Sequence, residues 1–104
     1  MDTEYAKKVA NLNDVFRKAG FGVMTTPGVR GLYDLSGLIS AVCRYNNFDE
    51  DNDPYGEHDF GTIYWQGKKV FFKIDYYDES LTYYGDPLSR ECRRILTVML
   101  AEEY

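Results

Sequence analysis

Acidic side chains are concentrated in one short stretch of this chain. From Asp49 to Asp59 there are six carboxylates in eleven residues, with Asn52, Pro54 and Gly56 between them and no lysine or arginine. Turn-forming residues at this density predict a loop. Carboxylates can hold a metal ion, act with a histidine in acid–base chemistry, or pair with the lysines and arginines of another protein.

The aspartate spacing invites comparison with a calcium site. Asp49, Asp51 and Asp53 have the one-three-five spacing of an EF-hand loop. However, the sixth position is Pro54, where the sharp turn needs glycine, and the twelfth is Phe60, where a bidentate glutamate closes the coordination sphere. An EF-hand is therefore not predicted. We expect no cofactor, and a calcium or magnesium site of another kind is the open alternative.

His58 is the single histidine of the chain and is flanked by Glu57 and Asp59. A histidine oriented by a carboxylate can serve as a general base. The chain offers no glycine-rich phosphate loop, serine elbow or reactive cysteine context to complete a catalytic site. We therefore favour a structural role, in which His58 and Asp59 fix the start of the following strand. A metal-dependent or histidine-assisted enzyme is the alternative.

The residues that must position these acids form a predicted β-hairpin. Two apolar and β-branched blocks, Phe60 to Trp65 and Val70 to Tyr76, are separated by Gln66-Gly67 and two lysines. In an antiparallel pair joined by a tight turn, the start of the first strand lies beside the end of the second. The acids at these outer ends should therefore share one corner of the sheet. They are Glu57, Asp59, Asp75, Asp78 and Glu79.

Tyrosines accompany the acids, and the chain has ten of them. Carboxylates interleaved with aromatic rings suit a surface that docks on a basic protein, since carboxylates pair with lysine and arginine and tyrosines supply contact area. The competing interpretation is that the acids are merely solvated and keep a small protein soluble. The predicted partner-binding residues are Asp49, Glu50, Asp51, Asp53, Tyr55, Glu57, Asp59, Asp75, Tyr76, Tyr77, Asp78 and Glu79.

The composition limits the possible partners. The 104 residues carry a net charge of −5, which argues against direct binding to nucleic acid or to an anionic membrane. No apolar run approaches the roughly 20 residues that span a bilayer, and the opening residues lack the pattern of a secretion signal. We expect one domain, residues 1–104, in the cytoplasm. Cys43 and Cys92 are expected to be buried free thiols.

Two helices are predicted before the hairpin. The first is capped by Asp2 or Thr3 and ends at Gly20. Its apolar stripe consists of Tyr5, Val9, Leu12, Val15, Phe16 and Ala19. Its basic residues, Lys7, Lys8, Arg17 and Lys18, are expected on the solvated face. An extended segment at 21–25 could add an edge strand to the hairpin. A second helix is predicted for 32–45, capped by Asp34 or Ser36.

After the hairpin, residues 81–84 are predicted as a third strand and 88–103 as a last helix. The stripe of that helix would be Cys92, Ile95, Leu96, Met99 and Leu100, with Arg90, Arg93 and Arg94 off it. The element order predicts an α+β fold. We expect a small two-layer sandwich, in which a mostly antiparallel sheet of three to four strands, with its hairpin at 60–76, packs against three helices.

Several long motifs resemble one bacterial family of unknown function. They are LNDVFRK (12–18), DNDPYGEHDFG (51–61), KIDYYD (73–78), LTYYGDP (81–87) and RILTVMLAEEY (94–104). The family usually reads Tyr-Gly-Ser at 83–85, where this chain has Tyr-Tyr-Gly, so the last loop departs from the pattern. The resemblance implies no activity. It places relatives in plasmid- and phage-rich genomes.

These observations lead to one functional expectation and two alternatives. We expect a small acidic protein-binding module, in the manner of a mobile-element-encoded inhibitor of the anti-CRISPR or anti-restriction type that mimics DNA. Its partner would be a basic surface on a nucleic-acid-binding defence complex. The enzyme around His58 is the first alternative, and a homodimeric structural protein is the second.

Overall fold

The computed structural model describes residues 3–104, so the proposed cap at Asp2 lies outside the described residues. Three helices, four strands and a terminal 3-10 turn follow one another along the chain. They are α1 (Thr3–Ala19), β1 (Met24–Thr25), α2 (Pro27–Arg30), α3 (Leu35–Cys43), β2 (Phe60–Trp65), β3 (Lys68–Tyr77), β4 (Arg93–Leu100) and the turn Ala101–Glu103.

The strands form one mixed sheet in the order β1-β4-β3-β2. β3 pairs antiparallel with both β2 and β4, whereas β1 runs parallel to β4. The three helices contribute to a single core on one face of this sheet. The predicted α+β class and mostly antiparallel sheet are therefore confirmed.

The β2–β3 hairpin is present as predicted. Its register runs from Phe60 opposite Lys73 to Trp65 opposite Lys68. Gln66 and Gly67 both have positive φ, 50° and 82°, which is the geometry of a type I′ turn that matches the twist of the strands. Alternate residues of β3 face the helices and are buried. These are Val70, Phe72, Ile74 and Tyr76.

The predicted last helix is wrong, because most of that segment is β4. Residues 93–100 pair with β3 along their whole length, and only 101–103 make a helical turn. A short apolar run fits both periods, and here the β-branched Ile95, Thr97 and Val98 favour the strand. Leu96, Val98 and Leu100 alternate into the core.

Two predicted strands are also corrected. Residues 81–84 are irregular and touch the sheet through one bridge, between Tyr84 and Tyr77. The Asp78 carboxylate accepts hydrogen bonds from the Thr82 and Tyr83 amides, which closes a turn instead of extending a strand. Of the segment 21–25, only Met24–Thr25 is a strand, and it lies beside β4, at the far edge from the hairpin.

The buried face of α1 differs from the predicted stripe. Its buried residues are Ala6, Val9, Ala10, Asn13 and Arg17. Leu12 and Val15 are 44% and 70% exposed, and Ala19 is also exposed. The expectation that Arg17 lies on the solvated face is wrong, since its exposure is 1%. Counting only apolar residues misplaced the stripe, because two polar residues complete it.

The second helix begins later than predicted. Pro27–Arg30 forms a separate short helix, and α3 spans Leu35–Cys43. Asp34 caps α3 by accepting a hydrogen bond from the Gly37 amide at 3.1 Å, which selects it over Ser36. Both cysteines are free and partly buried, so the thiols are less enclosed than expected.

Candidate functional site

A groove of about 820 Å³ lies between the acidic loop, residues 49–59, and the face of the β2–β3 hairpin turned away from the helices. Two kinds of side chain dominate its lining. The carboxylates are Asp49, Asp51, Asp53, Asp59 and Asp75. The aromatic rings are Tyr45, Tyr55, Phe60, Tyr64, Phe71 and Tyr104. We call this surface the acidic groove.

Three rings pack together at one side of the acidic groove. The centroids of Phe60 and Phe71 are 5.0 Å apart, and Tyr104 lies 5.8 Å and 5.6 Å from them, edge-on to both. Edge-to-face contacts at these distances are favourable and hold the rings in fixed orientations. One side of the groove is therefore formed by three aromatic rings that pack on one another in fixed orientations.

The acidic groove also contains two lysines, so its charge is mixed. Lys73 forms a salt bridge of 3.0 Å with Asp75. The hydrogen bond to Asp75 raises the pKa of Lys73. Lys69 lies over the Phe71 ring at 5.5 Å. The lysines thus lie on the hairpin, and the charged residues on the loop side of the groove are all acidic.

Asp49 shapes the start of the acidic loop. Its carboxylate accepts hydrogen bonds from the Asp51 and Asn52 amides at 2.9 Å and 3.0 Å, and its carbonyl accepts one from the Asp53 amide at 2.8 Å. This is an Asx turn. The Asn52 amide group donates to the Tyr45 hydroxyl at 3.3 Å. The turn leaves Asp51 exposed at the rim of the groove.

Asp53 has a different role from its neighbours in the loop. Its side chain is 4% exposed. It accepts hydrogen bonds from the backbone amides of Glu57 and His58, both at 3.1 Å. Those bonds hold His58 in a left-handed backbone conformation, φ 58°, which non-glycine residues rarely adopt. Asp53 therefore stabilises the loop from within.

His58 joins the loop to α1. Its Nδ1 lies 3.0 Å and 3.1 Å from the two carboxylate oxygens of Asp14, and its Nε2 lies 3.7 Å from Asp53. The imidazole stacks on the Phe48 ring, with centroids 4.0 Å apart and planes 4° from parallel. Both ring nitrogens thus face a carboxylate of this chain.

Arg17 lies behind this contact and is almost fully buried. Its Nη2 is 3.0 Å from Asp14 and donates to the Tyr45 carbonyl at 2.8 Å. The guanidinium lies 5.1 Å from the Phe48 ring centroid and 5.8 Å from that of Phe72. Within residues 3–104, its Nε and Nη1 are the buried side-chain atoms left without a hydrogen bond. The two rings provide cation–π contact in place of those bonds.

A second buried network surrounds Asn13. Its Nδ2 donates to the Tyr76 hydroxyl at 2.7 Å and to the Glu57 carbonyl at 2.9 Å, and its Oδ1 accepts from Arg94 Nε at 2.7 Å. The Tyr76 hydroxyl also donates to Asp59 at 3.3 Å. Burial raises the pKa of Tyr76. Tyr76, predicted as a contact residue, therefore belongs to the core.

Two carboxyls beside this network, Glu57 and Asp59, have raised pKa values. Burial raises the pKa of Asp59, against the hydrogen bond from Tyr76, which lowers it. Burial also raises the pKa of Glu57, and the nearby charges of Asp59 and Asp53 add to the effect. Burial is thus the main cause of both shifts, and like charge on neighbouring carboxyls adds to it.

The predicted corner is only partly assembled. Asp49, Asp51, Asp53, Tyr55, Asp59 and Asp75 line the acidic groove. Asp59, Asp75, Tyr76 and Tyr77 also line a smaller groove of about 330 Å³. Glu50, Glu57, Asp78 and Glu79 are absent from both linings. The Asp78 carboxylate is instead directed into its own turn, where hydrogen bonds from Ser80 and the Thr82 amide lower its pKa.

Sequence reasoning missed the residues that support the loop from the helical side. They are Asn13, Asp14, Arg17, Phe48 and Arg94. One signal was available. Asn13 and Arg17 continue the Val9 stripe of α1 at four-residue spacing, which places polar groups on a core-facing side. The contacts that these residues make within the chain join positions far apart in sequence, and no local sequence pattern encodes such contacts.

Residues 3–104 contain no cluster of three or more histidine, cysteine, aspartate or glutamate side chains arranged to hold a metal ion. In the same part of the chain, no helix has the length and apolar character needed to cross a membrane.

Comparison with known families gives a match over residues 24–103, to the family described as Protein of unknown function (DUF3768). The chain belongs to this family. The matched region contains the acidic loop and the whole sheet, whereas α1 precedes it. No curated protein matches the chain, and neither does any solved structure.

Proposed function

We propose that this member of the family is a small acidic protein-binding module, which docks its acidic groove on a basic surface of another protein. The observation that carries the proposal is the lining of that groove, where an acidic loop faces aromatic rings on a hairpin. Lysine and arginine side chains are the groups that such a lining accommodates best, since rings and carboxylates both attract them.

The charge balance of the site supports a basic partner. Asp59 lines the groove, and its pKa is raised by burial and by the neighbouring acids Asp53 and Asp75, so ionising this carboxyl has a free-energy cost in the isolated protein. A lysine or arginine placed beside Asp59 would lower that cost. Part of the binding free energy would then come from relief of repulsion already present in the free module.

The rigidity of the loop also supports docking. Asp49 and Asp53 fix its backbone, and the His58 contact with Asp14 ties it to α1. A preformed acidic wall loses less conformational entropy on binding than a disordered acidic tail does. The exposed rings of Tyr55 and Tyr64, 62% and 74% accessible, supply contact area beside it.

The motif resemblance suggests the kind of partner. Because relatives are associated with plasmid- and phage-rich genomes, we propose an inhibitor carried by a mobile element, of the anti-CRISPR or anti-restriction type. It would act in the cytoplasm on a nucleic-acid-binding defence complex. Its carboxylates would occupy positions that the phosphates of DNA otherwise take, so the module would compete with nucleic acid.

Affinity capture from the native host, followed by mass spectrometry, tests this proposal. The bait is the wild-type chain, compared with Asp51→Lys at the rim of the groove and with Glu91→Lys, an exposed residue outside its lining. We expect a basic protein that is retained by wild type and Glu91→Lys and lost with Asp51→Lys. Capture of no basic protein, or equal capture by all three baits, would contradict the proposal.

Salt dependence provides a second measurement on the captured complex. Ion pairs at an interface rim weaken as ionic strength rises, so the dissociation constant should increase steeply between low and physiological salt. Added duplex DNA should compete with the module for its partner. A salt-independent affinity, or simultaneous binding of DNA and module, would point to a different kind of interface.

The enzyme alternative has less support from the geometry. Both ring nitrogens of His58 face carboxylates of the chain itself, Asp14 and Asp53, and the ring is stacked on Phe48. Those contacts suit a structural role, in which His58 holds the acidic loop against α1. We expect no change in melting temperature when millimolar calcium or magnesium is added after chelator treatment, and a clear rise would reopen the metal-dependent alternative.

A further inference from the structure

His58 lies where the acidic loop touches α1, and its ring has a partner on three sides. Nδ1 lies 3.0 Å and 3.1 Å from the two carboxylate oxygens of Asp14, Nε2 lies 3.7 Å from Oδ2 of Asp53, and the ring is stacked on Phe48. Histidine side chains change charge between about pH 5 and about pH 8. The loop is thus joined to α1 by a type of side chain that responds to pH in the physiological range.

The two ring nitrogens meet their carboxylates unequally. A neutral imidazole has one N–H, and Asp14, at the shorter distance, accepts it from Nδ1. The lone pair of Nε2 then faces the Asp53 carboxylate, and neither group can donate to the other. Protonation gives Nε2 a hydrogen, which can donate to Asp53 and convert this contact into a charge-assisted hydrogen bond.

The charges around the ring also favour its protonated form. Asp14 on α1 and Asp53 in the loop are negative, and Arg17, 3.0 Å from Asp14, is positive. A protonated His58 completes a neutral group of two cations and two carboxylates, whereas a neutral ring leaves one negative charge in excess. The face of the Phe48 ring attracts a charged imidazole as well.

The other charged and titratable groups near the ring do not reverse this balance. Lys18 on α1 lines a small cavity beside His58, but it is exposed to solvent, which screens its charge. Glu57 and Asp59, the neighbours of His58 in the loop, are acidic. Tyr45 lines the same cavity, and its hydroxyl donates to a loop carbonyl.

We propose that His58 is a pH-sensitive contact, which holds the acidic loop against α1 more tightly when the ring is protonated than when it is neutral. Because the closed loop favours the protonated ring, this stabilising effect is complete below the ordinary titration range of histidine and is lost as pH rises through it. The loop forms one wall of the acidic groove, so the groove is better preformed at mildly acidic pH. This dependence on pH is a property of the loop itself, with or without a partner.

Amide hydrogen exchange at pH 5.5 and pH 8 tests the proposal, with each measured rate compared with the intrinsic rate at that pH. The Glu57 and His58 amides, which donate to Asp53, report on the closed loop. We expect their protection to be about three- to tenfold greater at pH 5.5, because protonation adds a hydrogen bond between charged groups. The ring resonances of His58, the single histidine, follow its protonation in the same samples. Equal protection at the two pH values, or greater protection at pH 8, overturns the proposal.

Asp53→Asn reverses the chemistry at Nε2. The side-chain carbonyl of asparagine can still accept from the two backbone amides, while its NH2 group can donate to the neutral ring and not to the protonated one. We therefore expect greater protection at pH 8 than at pH 5.5 in this variant. Glu50→Gln, at an exposed loop position outside both groove linings, is the control and should keep the wild-type dependence. An Asp53→Asn variant whose protection is still greater at pH 5.5 overturns the proposal.

His58→Asn separates the ring from the nearby carboxyls. Burial raises the pKa of Glu57 and of Asp59, so these are the other groups whose titration can alter the loop at mildly acidic pH. Asparagine tolerates the left-handed backbone at position 58 and has no ionisable group. Protection in this variant should be the same at pH 5.5 and pH 8. Protection that still falls between these pH values would assign the effect to the carboxyls and overturn the role of His58.

Discussion

Two aspartates of the acidic loop, Asp51 and Asp53, differ in burial and in hydrogen bonding although they lie two residues apart. Asp51 is exposed at the rim of the groove. Asp53 is buried and accepts hydrogen bonds from two backbone amides. The loop therefore has an outer side made of free carboxylates and an inner side made of satisfied ones. The net charge of the chain reflects the exposed carboxylates of the outer side, but it gives no information about the hydrogen bonds of the inner side.

The inner side explains how a chain with six acids in eleven residues holds a fixed loop. α1 supplies Asp14 for the His58 ring and Asn13 for the Glu57 carbonyl, and Arg17 lies beneath them. Buried polar groups with partners give a loop one conformation. The outer side can then be used for contact. The predictions below separate these two sides, beginning with the largest expected effect.

Arg17→Ala should give the largest loss of stability. The substitution removes one of the two partners of Asp14, removes the donor to the Tyr45 carbonyl, and leaves a gap beside the Phe48 and Phe72 rings. Removing a large, almost fully buried side chain together with its charged hydrogen bond costs about 3 kcal/mol. Urea unfolding measures the difference directly. Lys18→Ala, at the exposed neighbouring position, is the control and should change stability by less than about 0.5 kcal/mol. Equal effects would mean that the inner side is not a stabilising network.

Asp53→Ala and Asp51→Ala form the matched pair for the loop itself. We expect Asp53→Ala to lower the free energy of unfolding by about 2 kcal/mol, because it leaves two backbone amides without an acceptor. Asp51→Ala should be nearly neutral. Chemical denaturation of the two variants in parallel gives the comparison. If Asp51→Ala costs as much as Asp53→Ala, the distinction between inner and outer sides fails.

Gly61→Ala tests how closely β2 packs at the base of the loop. A methyl group at this position would collide with the Phe72 ring and come within 2.9 Å of the Tyr45 ring. Overpacking of this kind costs about 1–3 kcal/mol. Thr62→Ala, at the next position along β2, serves as the control and should lose less. Thermal melting of both variants gives the test. A much lower melting temperature for Gly61→Ala than for Thr62→Ala indicates close packing at the start of β2, and equal melting temperatures indicate that the strand can shift to accept the methyl group.

Asp59 and Asp78 should show opposite dependence on pH. Burial raises the pKa of Asp59, so the folded state binds its proton more tightly and this stabilising effect is lost as pH rises through the folded pKa. Hydrogen bonds lower the pKa of Asp78, so its contribution is present above the ordinary value and disappears as pH falls through the folded pKa.

Unfolding free energies of Asp59→Asn and Asp78→Asn between pH 3 and pH 7 give the test. Relative to wild type, the free energy of unfolding of Asp59→Asn should increase as pH rises, whereas that of Asp78→Asn should decrease. If the unfolding free energies of the two variants change in the same way with pH, burial does not raise the pKa of one carboxyl while hydrogen bonds lower that of the other.

The sequence alone was sufficient for the hairpin and the loop. The Gln66-Gly67 turn between two apolar blocks specifies the hairpin register, and proline, glycine and asparagine specify the loop. The α+β class followed from these elements together with α1 and α3. Local signals of this kind do not depend on the rest of the molecule.

Other features depend on distant contacts and could not be predicted in the same way. The run at 93–100 fits a helix or a strand, and only its pairing with β3 decides between them. Arg17 looks like a surface residue until Phe48 and Phe72 enclose it. Asp53 looks like one more loop acid, since its acceptor role depends on how the chain turns back at Glu57.

Amide hydrogen exchange of the acidic loop tests the central claim most directly. If the loop is a preformed wall held from its inner side, the Glu57 and His58 amides, which donate to Asp53, should exchange at least about tenfold more slowly than their intrinsic rates. That protection should be retained in Asp51→Ala and lost in Asp53→Ala. Exchange at intrinsic rates throughout residues 49–59 of the wild-type chain would contradict the account.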